Sequence, residues 1–175
     1  MPNMTLLPDG ESSVSSDWIT VGVGVSDPSE ALQTNNGNTS YVKCNDDGES
    51  MIIEYANPSV AEADIASIDA VQFLSSGKAI HRTNPSLVDI AFQTPPGFSE
   101  SCSYDAHRTN YESISGTVRT LTPAGGAWTY ANLENLTMIC TKDGSIEIYL
   151  SYLAMKVAYT EAVSADNATF FGANF

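Results

Sequence analysis

Residues 146–159 read IEIYLSYLAMKVAY, and their apolar side chains repeat with a period of two. Ile146, Ile148 and Leu150 fall on one face of an extended chain, while the residues between them fall on the other. The alternation slips further along, and a β-bulge near Met155 would bring the later apolar residues back into phase. The segment therefore predicts the longest strand of the chain, with one face in a core.

A second alternating segment lies near the N-terminus, where residues 18–25 read WITVGVGV. The apolar residues that share one of its faces are Ile19, Val21, Val23 and Val25. Gly22 and Gly24 lie on the opposite face, which another backbone can then approach closely. We predict a strand over residues 18–25 whose apolar face packs in the same core as the C-terminal strand.

Between these two segments, short β-rich runs alternate with turn signals. We predict strands at residues 40–44, 50–55, 65–75, 87–93, 101–104 and 113–121. Asn45–Gly48 contains an Asp-Gly pair, which predicts a tight turn and a hairpin between the first two of these strands. Residues 27–39 read as a loop, and Thr129 predicts the cap of one short helix near residues 130–136.

The spacing of strands and turns predicts an all-β fold, an antiparallel two-sheet β-sandwich that is jelly-roll-like. Residues 1–17 are polar and contain Pro2 and Pro8, so we expect an extended N-terminal arm rather than a packed element. Residues 18–160 form the predicted sandwich domain. Residues 161–175 are small and polar and end in FFGANF, which predicts a C-terminal tail.

The charge balance restricts the partners. The chain has 21 acidic and 7 basic side chains and a net charge of −14, so a nucleic-acid backbone would be repelled. The N-terminal residues lack the features of a secretory signal, and no window approaches the ~20 apolar residues of a membrane span. We therefore expect no nucleic-acid or membrane partner, and folding in a cytoplasm.

Cys44, Cys102 and Cys140 are far apart in the sequence and include no C-x-x-C pair. Three cysteines cannot all pair within one chain, and we expect buried free thiols in strands. One internal disulfide stays possible if the protein ends up outside a cell.

Candidate chemical groups are few. His81 and His107 lack the spacing that places two ligands on one metal, and no nucleophile motif accompanies them. The acidic residues 45–49 depart from the calcium-loop spacing, and a turn explains them without an ion. We therefore predict no catalytic residue, no metal ligand and no cofactor, and a protein that is not an enzyme.

Trp18, Trp128 and the eight tyrosines allow two interpretations. They could form a sugar-stacking platform, as in a carbohydrate-binding module, or they could be ordinary strand and core residues. For the two tryptophans we favour the core, because indole rings are mostly buried in folded proteins.

Residues 122–136, TPAGGAWTYANLENL, and 145–159, SIEIYLSYLAMKVAY, carry a more specific pattern. A Pro-Gly loop leads into Trp-Thr, a short helical turn with Leu-x-x-Leu, and a long final strand that ends in Val-x-Tyr. The residues at these positions are Pro123, Gly125 or Gly126, Trp128, Thr129, Leu133, Leu136, Val157 and Tyr159. The pattern resembles the closing segment of a β-sandwich module in structural proteins of tailed bacteriophages. It is a packing signature and implies no active-site residue.

The resemblance implies a virion structural protein, of the capsid decoration or cement type. Such a protein would bind and stabilise the outer head surface, with the major capsid protein and further copies of itself as partners. We expect it on the outer surface of the virion, after assembly in the host cytoplasm. The residues we expect at partner contacts are Pro2, Leu6, Leu7, Pro8, Phe170, Phe171 and Phe175. The alternative is a tail- or fibre-associated β-sandwich module that binds glycans through exposed aromatic residues.

Overall fold

A computed structural model describes residues 1–37, 39–80, 86–104 and 110–163 of the chain. These residues contain eleven strands: β1 (Asn3–Leu6), β2 (Pro8–Val14), β3 (Ile19–Gly22), β4 (Ser40–Cys44), β5 (Ser50–Tyr55), β6 (Ile65–Ala79), β7 (Ser86–Thr94), β8 (Gly97–Tyr104), β9 (Glu112–Ser115), β10 (Thr137–Asp143) and β11 (Ile148–Glu161). They also contain two short helices, α1 (Pro28–Leu32) and α2 (Tyr130–Glu134), and a 3-10 turn at Glu62–Asp64.

The strands form two antiparallel sheets. The first has the order β3-β4-β11-β6-β9, with β1 also paired to β11, and is called the six-stranded sheet. The second, the five-stranded sheet, has the order β2-β5-β10-β7-β8. The predicted class is confirmed: the protein is an all-β, jelly-roll-like sandwich.

The core lies between the sheets because alternate residues of the central strands point inward. Val42, Val71 and Leu150 come from the six-stranded sheet, and Ile53 and Met138 come from the five-stranded sheet; all are fully buried. Burial of such side chains contributes about 1.5–3 kcal/mol each against an exposed reference. Apolar burial on facing sheets therefore holds the sandwich together.

Strand β11 is the C-terminal strand that the sequence predicts, but with 14 residues it is not the longest, since β6 has 15, and its bulge lies elsewhere. The register between β11 and β6 shifts between Leu150 and Tyr152, at the small, buried Ser151. Leu150 before the shift and Leu153 after it both point into the core. The expected bulge near Met155 is therefore wrong, because the phase changes where a small residue fits between the sheets.

The N-terminal tryptophan segment forms a shorter strand than expected. Strand β3 has four residues, the Ile19 side chain is 50% exposed and the Val23 side chain is 98% exposed. The chain turns at Gly24, where φ is +80°. The predicted burial of the Ile-Val face is thus wrong for Ile19 and Val23, because the strand ends at Gly22, and only Val25 packs partly against the core.

Residues 27–39, which read as a loop, contain helix α1. The Asp27 side chain accepts the Glu30 amide and caps the helix, and Pro28 occupies its first turn. Ala31 and Leu32 are fully buried. Five residues are too few for an amphipathic repeat, so periodicity does not reveal this helix.

The turn at Asn45–Gly48 forms as predicted, with Gly48 at a φ of +78°, but it does not close a hairpin. Strand β4 pairs with β3 and β11, whereas β5 pairs with β2 and β10. The turn therefore carries the chain from one sheet to the other. Turn chemistry predicts a reversal of direction, and it does not fix the partner strand.

The expected N-terminal arm is part of both sheets. Strand β1 pairs with β11 in one sheet, and β2 pairs with β5 in the other. Met4 and Leu6 are buried because they alternate with exposed residues along β1. An extended, unpacked arm over residues 1–17 is thus at odds with the structure, in which β1 pairs in one sheet and β2 in the other.

The central elements match the sequence in part. Strand β6 begins at Ile65 as predicted and runs past Ser76-Gly77 to Ala79, while β9 is shorter than predicted. Strand β10 was not predicted. Helix α2 is confirmed, with a capping box between Thr129 and Asn132. At the C-terminal end, β11 continues to Glu161, and residues 164–175 lie outside the described part.

Candidate functional site

The outer faces of the two sheets differ in chemistry. Small, aliphatic and acidic residues point outward from the five-stranded sheet, including Ile52, Glu54, Asp89 and Ile139. Its aromatic side chains are buried or pack against the core. On the six-stranded sheet, by contrast, aromatic and basic residues point outward.

Strand register builds a row of these residues across the six-stranded sheet. Lys43 on β4 lies opposite Tyr149 on β11, and Tyr149 in turn lies opposite Lys78 on β6. Tyr41 is two residues from Lys43 on the same face of β4, because Ser40, Val42 and Cys44 point inward. Directly opposed residues are close enough for side-chain contact.

Four side chains of this face form a cluster, called here the tyrosine cluster: Tyr41, Lys78, Tyr111 and Tyr149. The ring centroids of Tyr41 and Tyr149 are 5.1 Å apart, and the rings are tilted by 45°. The Lys78 ammonium lies 4.6 Å from the Tyr111 ring centroid and 5.3 Å from that of Tyr149. These distances lie within the range of cation–π attraction, which fixes the rings relative to one another.

Glu147 lies beside the cluster and is held from two sides. Its Oε2 accepts the Tyr149 hydroxyl at 2.7 Å, and its Oε1 lies 3.2 Å from the Lys43 ammonium. All three side chains are half-buried. The carboxylate is therefore positioned as a hydrogen-bond acceptor at the rim of the cluster.

Tyr111 closes one side of the cluster. Gly37, in the loop before β4, lies against its ring, and a φ of +63° there favours glycine. The Tyr111 hydroxyl is buried and has no hydrogen-bond partner among the described residues. Burial leaves it as a donor without an acceptor, which is unusual for a buried polar group.

The electrostatics keep the tyrosine hydroxyls protonated. Partial burial raises the pKa of Tyr149 and of Tyr111, and the bond to Glu147 adds to the effect at Tyr149. Partial burial also lowers the pKa of Lys78. At neutral pH both hydroxyls are therefore neutral groups that can donate or accept hydrogen bonds.

A shallow depression of about 220 Å³ adjoins the cluster at the end of the same sheet. Its lining residues are Asn45, Ile80, Ser145, Ile146 and Glu147. Glu147 is common to the depression and to the rim of the tyrosine cluster. The two features therefore form one continuous surface.

A second ion pair, between Arg119 and Glu100, lies away from the tyrosine cluster and has a structural role. Arg119 pairs with Glu100 and lies 4.2 Å over the Phe98 ring. Glu100 also accepts the Thr117 amide at 2.9 Å, and the Trp128 indole donates to the Arg119 carbonyl at 3.0 Å. These contacts fasten the connection after β9 to strand β8.

Of the residues expected at partner contacts, the four near the N-terminus lie within strands β1 and β2 or next to them. Leu6 and Pro8 are buried, and Pro2 and Leu7 are half-buried. The Pro2 carbonyl accepts the Tyr159 amide at 3.2 Å, so the segment is occupied by pairing within the domain. The other expected contacts, Phe170, Phe171 and Phe175, lie outside the described residues, as do His81 and His107.

The two tryptophans are core residues, as we expected. Trp18 and Trp128 are each 4% exposed, which excludes both indole rings from a surface platform. The tyrosine cluster was not identified from the sequence, because its members come from four segments that only the strand register brings together. The alternation of Tyr149 with inward residues was the one local signal.

The three cysteines are free and buried, in β4, β8 and β10, as the sequence predicts. In the described part of the chain, no group of three His, Cys, Asp or Glu residues is arranged to hold a metal ion. At the acidic turn, the Asp47 carboxylate accepts the Gly144 amide at 2.8 Å. No helix within the described ranges is long and apolar enough to cross a membrane.

Comparison with known proteins adds a likeness of fold. No protein family model matches the chain, and no curated protein matches it. The CBM36-1 domain of a multidomain xylanase from the hindgut metagenome of Trinervitermes trinervoides is similar, with a TM-score of 0.50 and 9% identity over 92% of this chain and 100% of that one. A carbohydrate binding module (CBM6cm-2) from Cellvibrio mixtus lichenase 5A, in complex with cellotriose, gives a TM-score of 0.48 and 9% identity over 87% and 95% of the two chains. The first likeness shows that this chain has a β-sandwich fold like that of the CBM36-1 domain.

Proposed function

We propose that this protein is a carbohydrate-binding β-sandwich module and that the tyrosine cluster is its glycan site. The observation that carries the proposal is the concentration of aromatic and hydrogen-bonding side chains on one outer sheet face. The CBM36-1 domain, named as part of a xylanase, supports it because this chain has a similar fold. Fold alone does not determine function, so the site has the greater weight.

The chemistry of the cluster suits a sugar. A sugar ring has apolar faces of C–H groups and a rim of hydroxyls, and the site offers a counterpart to each. The Tyr41 and Tyr149 rings, 5.1 Å apart, supply apolar surface at low entropic cost. Glu147 and Lys43 supply an acceptor and a donor at the edge.

We propose binding without catalysis. Glycosidases of the usual kind place two carboxylates on either side of the bond that is cleaved. Glu147 is instead tied to Lys43 and the Tyr149 hydroxyl. That arrangement suits recognition of a hydroxyl better than proton transfer to a leaving group.

The proposal is tested by affinity electrophoresis in gels that contain soluble plant, fungal and bacterial polysaccharides. We expect at least one polysaccharide to slow the wild-type protein, and Tyr149→Ala to weaken that binding about tenfold or more, as for an aromatic hot spot. Tyr130→Ala is the matched control, because the Tyr130 hydroxyl bonds to Val60, away from the cluster. Equal retardation of wild type and Tyr149→Ala would assign binding to another surface.

A capsid decoration role stays a second proposal, with the major capsid protein and copies of this chain as partners and the outer virion surface as location. Its supports are the net charge of −14 and the resemblance of residues 122–159 to phage structural modules. A tail- or fibre-associated glycan-binding module would combine both proposals. The capsid role is tested by purification of assembled particles. We expect this protein at a fixed copy number per capsomer, and its absence from the particles would exclude the capsid role.

A further inference from the structure

The Tyr41 and Tyr149 rings and the depression beside Ile80 lie on one line along strands β4 and β11. Tyr41, Lys43 and Asn45 are alternate residues on β4 and just beyond it, and Tyr149 and Glu147 are alternate residues on β11 and just before it. Four residues of extended chain span about 13 Å. The surface from Tyr41 to Asn45 is therefore longer than a single sugar ring.

The depression has the same two kinds of surface as the cluster. The Ile80 side chain is 55% exposed and forms its apolar part, together with Ile146. Asn45, Ser145 and Glu147 provide an amide, a hydroxyl and a carboxylate around it. An exposed isoleucine in a ring of polar groups offers a second place for an amphipathic ring.

At the cluster end of this line, Lys43 is paired with Glu147 and Lys78 lies over two tyrosine rings, whereas the charges at the depression end disfavour an acidic ligand. Glu147 lies between the two positions, and the exposed carboxylates of Asp46 and Asp47 follow Asn45 directly. The whole chain carries a net charge of −14. A chain of uronic acid units laid along this surface would meet like charges at its depression end.

On the basis of the proposed function, we infer that the site takes an uncharged glycan chain of at least two rings, which runs parallel to β4 and β11. One ring lies on Tyr41 and Tyr149, and a second lies on Ile80 in the depression. Glu147 accepts a hydroxyl at the junction, held there by Lys43 and Tyr149. The site would thus distinguish glycans by the number of their rings as well as by the kind of ring.

The test uses a panel of immobilised glycans with one to four rings, in neutral gluco-, xylo-, manno- and galacto- series and in uronic acid series. We expect affinity to increase about tenfold or more from one ring to three within a neutral series, with the uronic acid series bound more weakly. Binding that does not depend on length, or a preference for uronic acid chains, would overturn the inference and leave the proposed function standing. Binding to no glycan would refute the proposed function itself.

Two variants locate the second ring. Ile80→Asp should weaken binding of the longest neutral glycan about fivefold or more while it leaves the shortest bound glycan within about twofold. Leu121→Asp is the matched control, since Leu121 is similarly exposed at 51% and lies in neither feature. Circular dichroism checks that both variants fold. Equal effects of the two variants would remove Ile80 from the site, and the length series on the wild type tests the inference independently.

Discussion

At the residue scale, the core leaves no room for a side chain at Gly116. A Cβ there would lie 2.1 Å from the Phe73 ring, and the Gly116 amide donates to the Phe73 carbonyl at 2.9 Å. The residue is thus fixed by contact with the backbone and the ring of β6. Overpacking of this kind costs about 1–3 kcal/mol or more.

We predict that Gly116→Ala lowers the free energy of unfolding by about 1–3 kcal/mol, measured by urea denaturation. Gly126→Ala is the control, because a Cβ at Gly126 meets only the Thr122 hydroxyl at 3.7 Å. It should change stability by less than about 0.5 kcal/mol. The packing described around Phe73 would be wrong if the two variants were equally stable.

The buried thiols make stability depend on pH in the alkaline range. Desolvation raises the pKa of Cys102 from 9.0 to about 11, and it raises the pKa of Cys140 and of Cys44. Below pH 9 the thiols are protonated in the folded and in the unfolded chain, so their contribution to the free energy of unfolding is fully present. Between pH 9 and 11 the unfolded chain releases protons that the folded chain keeps, so stability falls.

The urea midpoint of the wild-type protein should therefore decrease from pH 9 to pH 11. Cys102→Ala removes one of the three thiols that make stability depend on pH, so the urea midpoint of the variant should decrease less over the same interval. At pH 7 the midpoint of the variant is lower than that of the wild type, because the substitution leaves a cavity. Burial raises the pKa of Tyr104, and its coupling to Cys102 adds to that rise, so the smaller rise in the variant also makes the midpoint decrease less. Parallel pH profiles would show that the Cys102 thiol is not desolvated.

At the scale of elements, the N-terminal strands join the two sheets. Leu6 is 1% exposed and lies opposite Met155 of β11. Two residues later, Pro8 begins β2 and lies opposite Tyr55 of β5. Deletion of this segment would expose the edges of both sheets and part of the core.

Leu6→Ala should lower the free energy of unfolding by about 2–5 kcal/mol. Thr5→Ala, on the exposed face of the same strand, should change it by less than about 0.5 kcal/mol. Thermal or urea unfolding of both variants makes the comparison. A Leu6→Ala protein as stable as wild type would restore the free arm that the sequence suggested.

The contrast between β11 and the β4–β5 turn explains what the sequence can predict. The alternation along residues 146–159 and the cap at Thr129 are local patterns, and both predict their elements, although the bulge of β11 lies at a different residue. The assignment of β4 and β5 to different sheets depends on distant partners, which no local pattern contains. The same limit concealed the tyrosine cluster, since Tyr41, Lys78 and Tyr149 meet only through strand register.

At the scale of the whole molecule, basic side chains are concentrated on one face. Among the described residues, Lys43, Lys78 and Lys156 all lie on the outer face of the six-stranded sheet. Arg119 is paired with Glu100, and Lys142 is fully buried. The face that carries the tyrosine cluster therefore holds three lysines, in a chain with a net charge of −14. An uncharged ligand can approach it without a large electrostatic penalty.

The most direct test of a glycan site on the six-stranded sheet is a nuclear magnetic resonance titration of the isotope-labelled protein. The ligand is the oligosaccharide that binds best in the panel. We expect the amide and side-chain signals of Tyr41, Lys43, Glu147 and Tyr149 to shift in proportion to occupancy, while those of β8 stay in place. Shifts confined to the five-stranded sheet or to α2, or no shifts with any glycan of the panel, would contradict the account.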